Sequence, residues 1–190
     1  MLLFAAIADD PVGHREAAID DSLLIGVAGG DKHAFTQLYR LAGPSVYAYA
    51  LSILRNPAEA EDVLQDTFLK IRSAAPLYQP LGRPMAWILT IARNICLMKL
   101  RQQKILSFDP VETLDQAPQL DQITDLEDRL VLKAAFRILS DDECQIIMLH
   151  AVTGWTHREI AQQMGMPIAT VLSKYHRGLK KLKAELEGSL

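Results

Sequence analysis

Residues Gly154–Arg177 read GWTHREIAQQMGMPIATVLSKYHR, and the punctuation of this stretch decides the fold of the C-terminal part of the chain. Thr156-His-Arg-Glu159 places a hydroxyl and a carboxylate three residues apart at a helix start, where each side chain satisfies a backbone N–H that the helix leaves orphaned. Ser140-Asp-Asp-Glu143 repeats this capping box one helix earlier. Trp155 and Ile160 add a hydrophobic staple around the second start. Gly154 and Gly165 stand where a left-handed residue closes a helix, and Gly165-Met166-Pro167 then launches the last helix. So short a turn forces two helices to cross, which predicts a helix-turn-helix between Ser140 and Leu186.

At 100° per residue, Ile168, Val171, Tyr175, Leu179, Leu182 and Leu186 of the last helix fall within an arc of about 80°. Thr170, Ser173, Lys174, Arg177 and Lys181 take the opposite side. One face is expected to pack and the other to be free for DNA, because Lys and Arg meet phosphates or guanine edges and hydroxyls reach backbone or bases. A merely solvated amphipathic helix is the competing explanation of that face.

The whole chain agrees with a helical protein. It has 190 residues, 49% hydrophobic and 23% charged, with 6% aromatic, and its turn residues gather in a few places instead of recurring regularly, which argues against a β-sandwich or barrel. Cys96 and Cys144 form no CxxC pair, so neither a disulfide framework nor a zinc-finger spacing is present, and a reducing cytoplasm suits them. The apolar opening Met1–Ile7 meets Asp9 and Asp10 at once and has no basic flank, so it is expected to be a frayed or docking N-terminus. No run of eighteen apolar residues occurs.

Lys plus Arg total 20 against 23 Asp plus Glu, and the net charge of -3 hides a segregation along the chain. From Thr67 to Phe108 there are seven cations (Lys70, Arg72, Arg83, Arg93, Lys99, Arg101 and Lys104) and no acid. From Asp109 to Asp128 the sign inverts, beside Pro110 and Pro118, and that segment reads as a linker. The expected architecture is therefore all-α: an N-terminal helical domain at 18–104, an acidic flexible linker at 105–124 and a C-terminal helix-turn-helix domain at 125–188.

In the first domain, Phe35, Leu38 and Leu41 show helical spacing, Gly43-Pro44 is expected to break the helix, and Val46–Leu54 resumes it as the second arm of a hairpin. Asn56-Pro57 starts the next helix, with Asn56 as cap and Pro57 in the first turn, where a missing N–H loses nothing. Its stripe Ala60, Val63, Leu64, Thr67, Phe68 and Ile71 faces inward and leaves Glu59, Asp62, Gln65 and Asp66 outward. Acids work against DNA affinity, so a protein partner carrying Arg or Lys is the better match for this face. Ala74–Pro84 reads as a loop, in which Tyr78 could receive a splayed base beside cationic residues. Met85–Gln103 follows as a helix that buries Ile88, Ile91, Ala92, Ile95 and Met98 and leaves Arg93, Asn94, Lys99 and Arg101 to solvent. Trp87 fits the core better than a base-stacking platform.

Three motifs stand in a telling order: AEDVLQDTFLKI at Ala60–Ile71, PMAWILTIARN at Pro84–Asn94, and Glu159-Ile-Ala through Met164-Gly165, Pro167, Thr170-Val171 and Ser173 to His176-Arg177. Together they closely resemble the bacterial extracytoplasmic-function (ECF) sigma factors of RNA polymerase, over about residues 20 to 186. The resemblance implies a subunit without catalytic activity, cofactor, metal or small-molecule substrate, which joins core RNA polymerase in the cytoplasm and directs it to promoter DNA. By the resemblance, Glu59, Asp62, Gln65 and Asp66 belong to the polymerase-docking helix. Tyr78 and Arg83 belong to the loop that captures a flipped minus-ten base, and Arg93, Asn94, Lys99 and Arg101 to the helix lining the melted strand. Thr170, Ser173, Lys174, Arg177 and Lys181 belong to the surface that meets the minus-thirty-five duplex. An anti-sigma factor, in many relatives membrane-bound, is a further implied partner.

Two departures from the family pattern are visible. Val171-Leu172-Ser173-Lys174 stands where the family commonly shows Val-Lys-Ser-Arg, which removes one cation and replaces a bidentate Arg by a point-charge Lys. Cys96-Leu97-Met98-Lys99-Leu100 stands where an Asp followed by aromatic and basic residues is common. The linker, about twenty residues, spans up to roughly 66 Å extended, enough to separate two DNA-reading domains by about two turns of duplex.

The main alternative is a helix-turn-helix repressor or activator that binds a two-fold operator without polymerase, its N-terminal helices serving dimerisation or ligand sensing. A metal nuclease built on Asp62 with Asp66 or Asp141 with Glu143 lacks a histidine at ligand spacing. His14, His33, His150, His157 and His176 are scattered, and none forms a triad with Ser or Cys.

Overall fold

The computed structural model describes residues 19–106, 132 and 134–188, and the regular structure among them is helical. Met1–Ile7 and most of the expected linker lie outside the described residues. The described chain falls into two compact units, one from Ile19 to Leu106 and one within the C-terminal residues.

The first unit consists of α1 (Asp21–Ala28), α2 (Lys32–Leu54), α3 (Pro57–Ala74), a 3-10 turn (Ala75–Leu77) and α4 (Pro84–Leu106). Helix α2 is the hub, packing against α1, α3 and α4, while α3 and α4 also touch. Its starts are chemically determined. Asp31 accepts from the His33 and Ala34 amides at 2.7 and 3.2 Å, and Asn56 accepts from Ala58 and Glu59 at 3.0 and 3.2 Å, with Pro57 in the first turn as the sequence requires. Replacing Asn56 by Ala is expected to lower the stability of this unit by about 1 kcal/mol, measured as an earlier denaturant midpoint at unchanged slope.

Gly43-Pro44 does not break the helix. Residues 32–54 form one continuous α2 with Pro44 inside it. A proline in a helix interior removes one backbone hydrogen bond and also crowds the residue before it, but that residue is glycine, which has no Cβ to clash. The helix buries Leu38 and Ala42 before the proline and Val46, Tyr47, Tyr49 and Leu51 after it, so packing outweighs the local loss. In α3, all six residues of the expected inner stripe are buried.

The buried arc of α4 is Ile88, Leu89, Ala92 and Cys96. Ile91 and Ile95 are only half-buried and Met98 is 51% exposed, against the expectation that all three lie in the core. The helix is turned by about one residue from the expected phase, which brings Lys99 round toward α3. Burial pushes the Cys96 thiol up to about 12, with Lys99 and Arg93 pulling only partly against it.

In the second unit, helical residues 134–138 lead to α5 (Asp141–Thr153), α6 (His157–Met164) and α7 (Ile168–Gly188). Both capping boxes form with reciprocal bonds. Gly154 and Gly165 each close a helix at φ 66°, where any side chain would be strained. Helix α7 packs on α5 and α6 through Val171, the half-buried Tyr175, Gly178 and Leu182. Ile168, expected on the packed arc, is the first residue of α7 and is 43% exposed, because packing begins one turn later at Val171.

Candidate functional site

The acidic face of α3 is real and directional. Asp62, Gln65 and Asp66 are exposed and Glu59 is half-buried, all on the side away from the stripe that packs on α2 and α4. Lys99 crosses from α4 to this face, donating to Glu59 Oε2 at 2.6 Å and Asp62 Oδ2 at 3.1 Å. Burial alone would lower the Lys99 pKa, but the two carboxylates outweigh it and raise it. Lys99 is therefore not open to solvent as its spacing suggested: it is engaged by two residues of the acidic stripe. Of the other cations expected on α4, Arg101 is exposed and Arg93 half-buried, and Asn94 beside Arg93 is exposed.

The loop after α3 is also more ordered than its composition suggested. Tyr78 donates its hydroxyl to Asp21 Oδ1 at 2.5 Å, and its ring meets Trp87 edge-on with centroids 5.1 Å apart. Burial and the Asp21 hydrogen bond push the phenol well above its ordinary value. Tyr78 is half-buried and occupied, whereas Leu77, Leu81 and Arg83 project outward. Asp21 escaped the sequence reading. Its only local signal is the doublet Asp20-Asp21, one acid more than a helix cap needs.

On α7, the hydroxyl residues keep their expected places, with Ser173 exposed and Thr170 half-buried. The cations do not lie free on the outer side. Lys174 pairs with Asp142 at 2.9 Å, and Arg177 and Lys181 donate to the two oxygens of Glu143 at 2.6 and 2.8 Å. Glu143 is 1% exposed, and the Ser140 amide also donates to it at 2.9 Å. Burial favours its neutral form, but Lys181, the Ser140 amide and Arg177 prevail and hold the carboxyl down to about 2. Close approach makes the clamp possible: a Cβ on Gly178 would stand 2.8 Å from Ile147 Cδ1 and 3.4 Å from Glu143 Cβ. The sequence marks Glu143 as a cap but does not show its cationic partners, which lie 34 and 38 residues away. More than half of the Arg177 side chain still faces solvent, as do His176 and Lys180.

Beneath α7, His150 and His157 stack with centroids 4.9 Å apart, and Tyr175 meets both rings edge-on. Burial lowers the His157 pKa, and His150 and His176 lower it further. Among the described residues no group of three or more His, Cys, Asp or Glu is placed to hold a metal ion, and no helix is long and apolar enough to cross a membrane.

The chain is similar to known proteins. Residues 38–105 match the family model of Sigma-70 region 2, and residues 129–182 match Sigma-70, region 4. The RNA polymerase sigma factor CarQ of Myxococcus xanthus is 32% identical over 163 residues, covering 85% of this chain and 93% of that protein. The ECF RNA polymerase sigma factor SigK of Mycobacterium sp. (strain KMS) is 29% identical, covering 86% and 88%. Among solved structures, the sigma factor RpoE in complex with the anti-sigma factor NepR from Bartonella quintana aligns with TM-score 0.57 at 27% identity, over 80% of this chain and 96% of that one. CnrH in complex with the cytosolic domain of CnrY shares the fold, with TM-score 0.56 at 23% identity over 90% and 99%. Two region models in the right order, and a relative matched along nearly its whole length, identify the chain as a member of the ECF sigma factors of RNA polymerase.

Proposed function

We propose that the chain docks on core RNA polymerase through the outer face of α3 and carries it to promoters, reading the minus-ten element with its first unit and the minus-thirty-five element with its second. The observation that carries this reading is the separation of sign within the chain: an exposed acidic face on α3, and a helix-turn-helix whose last helix bears Ser173, Lys174, Arg177 and Lys181. Glu59, Asp62, Gln65 and Asp66 meet the polymerase. The loop with Tyr78 and Arg83, followed by Arg93, Asn94, Lys99 and Arg101, meets the melted strand. Thr170, Ser173, Lys174, Arg177 and Lys181 meet the minus-thirty-five duplex, the last three from positions already held by Asp142 and Glu143.

The division into 18–104, a linker at 105–124 and 125–188 gives each promoter element its own domain. The chain performs no catalysis of its own and works in the cytoplasm, where the polymerase is. The RpoE complex with NepR supports an anti-sigma factor as its regulator. In vitro transcription with core enzyme on a genomic promoter library tests the proposal: discrete transcripts that depend on this chain are expected. Failure to co-elute with core polymerase, together with binding of a two-fold operator by the chain alone, would establish the repressor alternative instead.

A further inference from the structure

We propose that Asp21 is a positioning residue for minus-ten recognition: its carboxylate ties both ends of the loop Tyr78–Arg83 to α1 and so presents the loop to DNA in one shape. The inference rests on the reading of that loop as the minus-ten element.

Asp20 already caps α1, accepting from the Ser22 amide at 2.7 Å. The neighbouring carboxylate of Asp21 is thus left to reach across the unit. Oδ1 accepts from the Tyr78 hydroxyl at 2.5 Å and Oδ2 from the Gly82 amide at 2.8 Å, partners 57 and 61 residues away. One side chain therefore holds the entry and the exit of the loop together. Trp87, in the first turn of α4, meets the Tyr78 ring edge-on and supports it. Gly82 sits at φ +72° with nothing within 4 Å of where a Cβ would stand, so the loop backbone has no steric wall to fix it there. A residue with that freedom holds one conformation only when a bond imposes it. Both bonds go to a carboxylate, which makes them stronger than neutral ones. What projects between the tied ends is Gln79, Pro80 and Leu81, with Leu81 77% exposed. Holding these side chains in place before DNA arrives removes an ordering cost from binding and keeps the choice of base sharp.

The test uses the full chain with core polymerase and has two readouts. The first is amide hydrogen exchange at Gly82 in the free protein. The second is the ratio of transcripts from a matched promoter to those from promoters substituted at single minus-ten positions. Asp21→Ala removes both bonds, and Tyr78→Phe removes one while sparing α1. Asp21→Asn can still accept from the Gly82 amide and donate its NH2 to the Tyr78 oxygen. Exchange is expected to quicken about tenfold or more in Asp21→Ala, less in Tyr78→Phe, and little in Asp21→Asn. The promoter ratio is expected to fall about tenfold in Asp21→Ala, in the same order across the variants, as the two bonds are lost.

Wild-type exchange in Asp21→Ala and Tyr78→Phe would overturn the proposal. So would quickened exchange with an unchanged ratio, provided that Gln79→Ala with Leu81→Ala lowers the ratio. If that double variant and Asp21→Ala both leave the ratio intact, the loop does not read the minus-ten base, and the functional assignment of the loop falls with the proposal.

Discussion

Asp66→Arg is expected to abolish co-elution with core polymerase and to reduce transcription from any promoter of this factor by at least about a hundredfold, since like charges juxtaposed in an interface cost several kcal/mol. Asp66 is the sharpest probe of the acidic face because it is exposed and makes no ion pair among the described residues. Glu59 and Asp62 share Lys99, so changing either would disturb the contact of α3 with α4 as well. An exposed substitution of this kind changes stability by no more than about 0.5 kcal/mol, and Arg is a better helix former than Asp. The helical circular dichroism and melting midpoint should therefore match the wild type while binding is lost. Undiminished transcription by the variant would remove α3 from the docking surface.

The second large effect is expected at Glu143. Glu143→Ala removes a buried carboxylate that bonds one backbone amide and two cations, and should destabilise the C-terminal unit by about 3 kcal/mol. Glu143→Gln keeps an acceptor for the Ser140 amide and the same shape, so about half of that loss is expected. Thermal melts of the full chain, with exchange protection read at α5 and α7, separate the two. The pH dependence follows from the sign of the shift. The carboxyl is held at about 2 when folded, below an ordinary value of about 4.3, so the folded state gains from its ionisation. That stability is complete above about pH 4.5 and is lost as pH falls toward 2, and the Gln variant should lack this acid-sensitive component. Releasing Arg177 and Lys181 should also steepen the salt dependence of DNA binding by up to about 2 in logarithmic slope, near 0.9 for each phosphate they then contact. A Glu143→Ala melt indistinguishable from the wild type would show that the clamp contributes nothing.

What could be read from the residues alone was whatever short-range chemistry determines. The capping boxes at Ser140 and Thr156, the Asn56-Pro57 start and the left-handed Gly154 and Gly165 all form as their spacing demands, because cap and partner sit within three or four residues of each other. The inner stripe of α3 was equally legible. Pro44 was misread because local preference opposes the helix and only the packing of α2 on its three neighbours overrules it. Met98, expected in the core, is exposed because the phase of a helix is resolved only by the surface it packs on. At the candidate site the residue types were visible but their engagements were not. Lys99, Tyr78 and Arg177 find partners 34 to 57 residues away, a separation at which periodicity carries no information.

On the proposed reading, the bridge from Lys99 to Glu59 and Asp62 couples the polymerase-docking face of α3 to the strand-binding face of α4 through shared charges. A basic group of the polymerase that claimed these carboxylates would then set the ammonium loose for a phosphate of the strand. Conversely, a phosphate that claims the ammonium leaves both carboxylates bare for the enzyme. Thermodynamic reciprocity then requires each event to favour the other by the same factor. Apart from the enzyme, a factor built this way would keep one cation of α4 quenched, and assembly of the holoenzyme would release it.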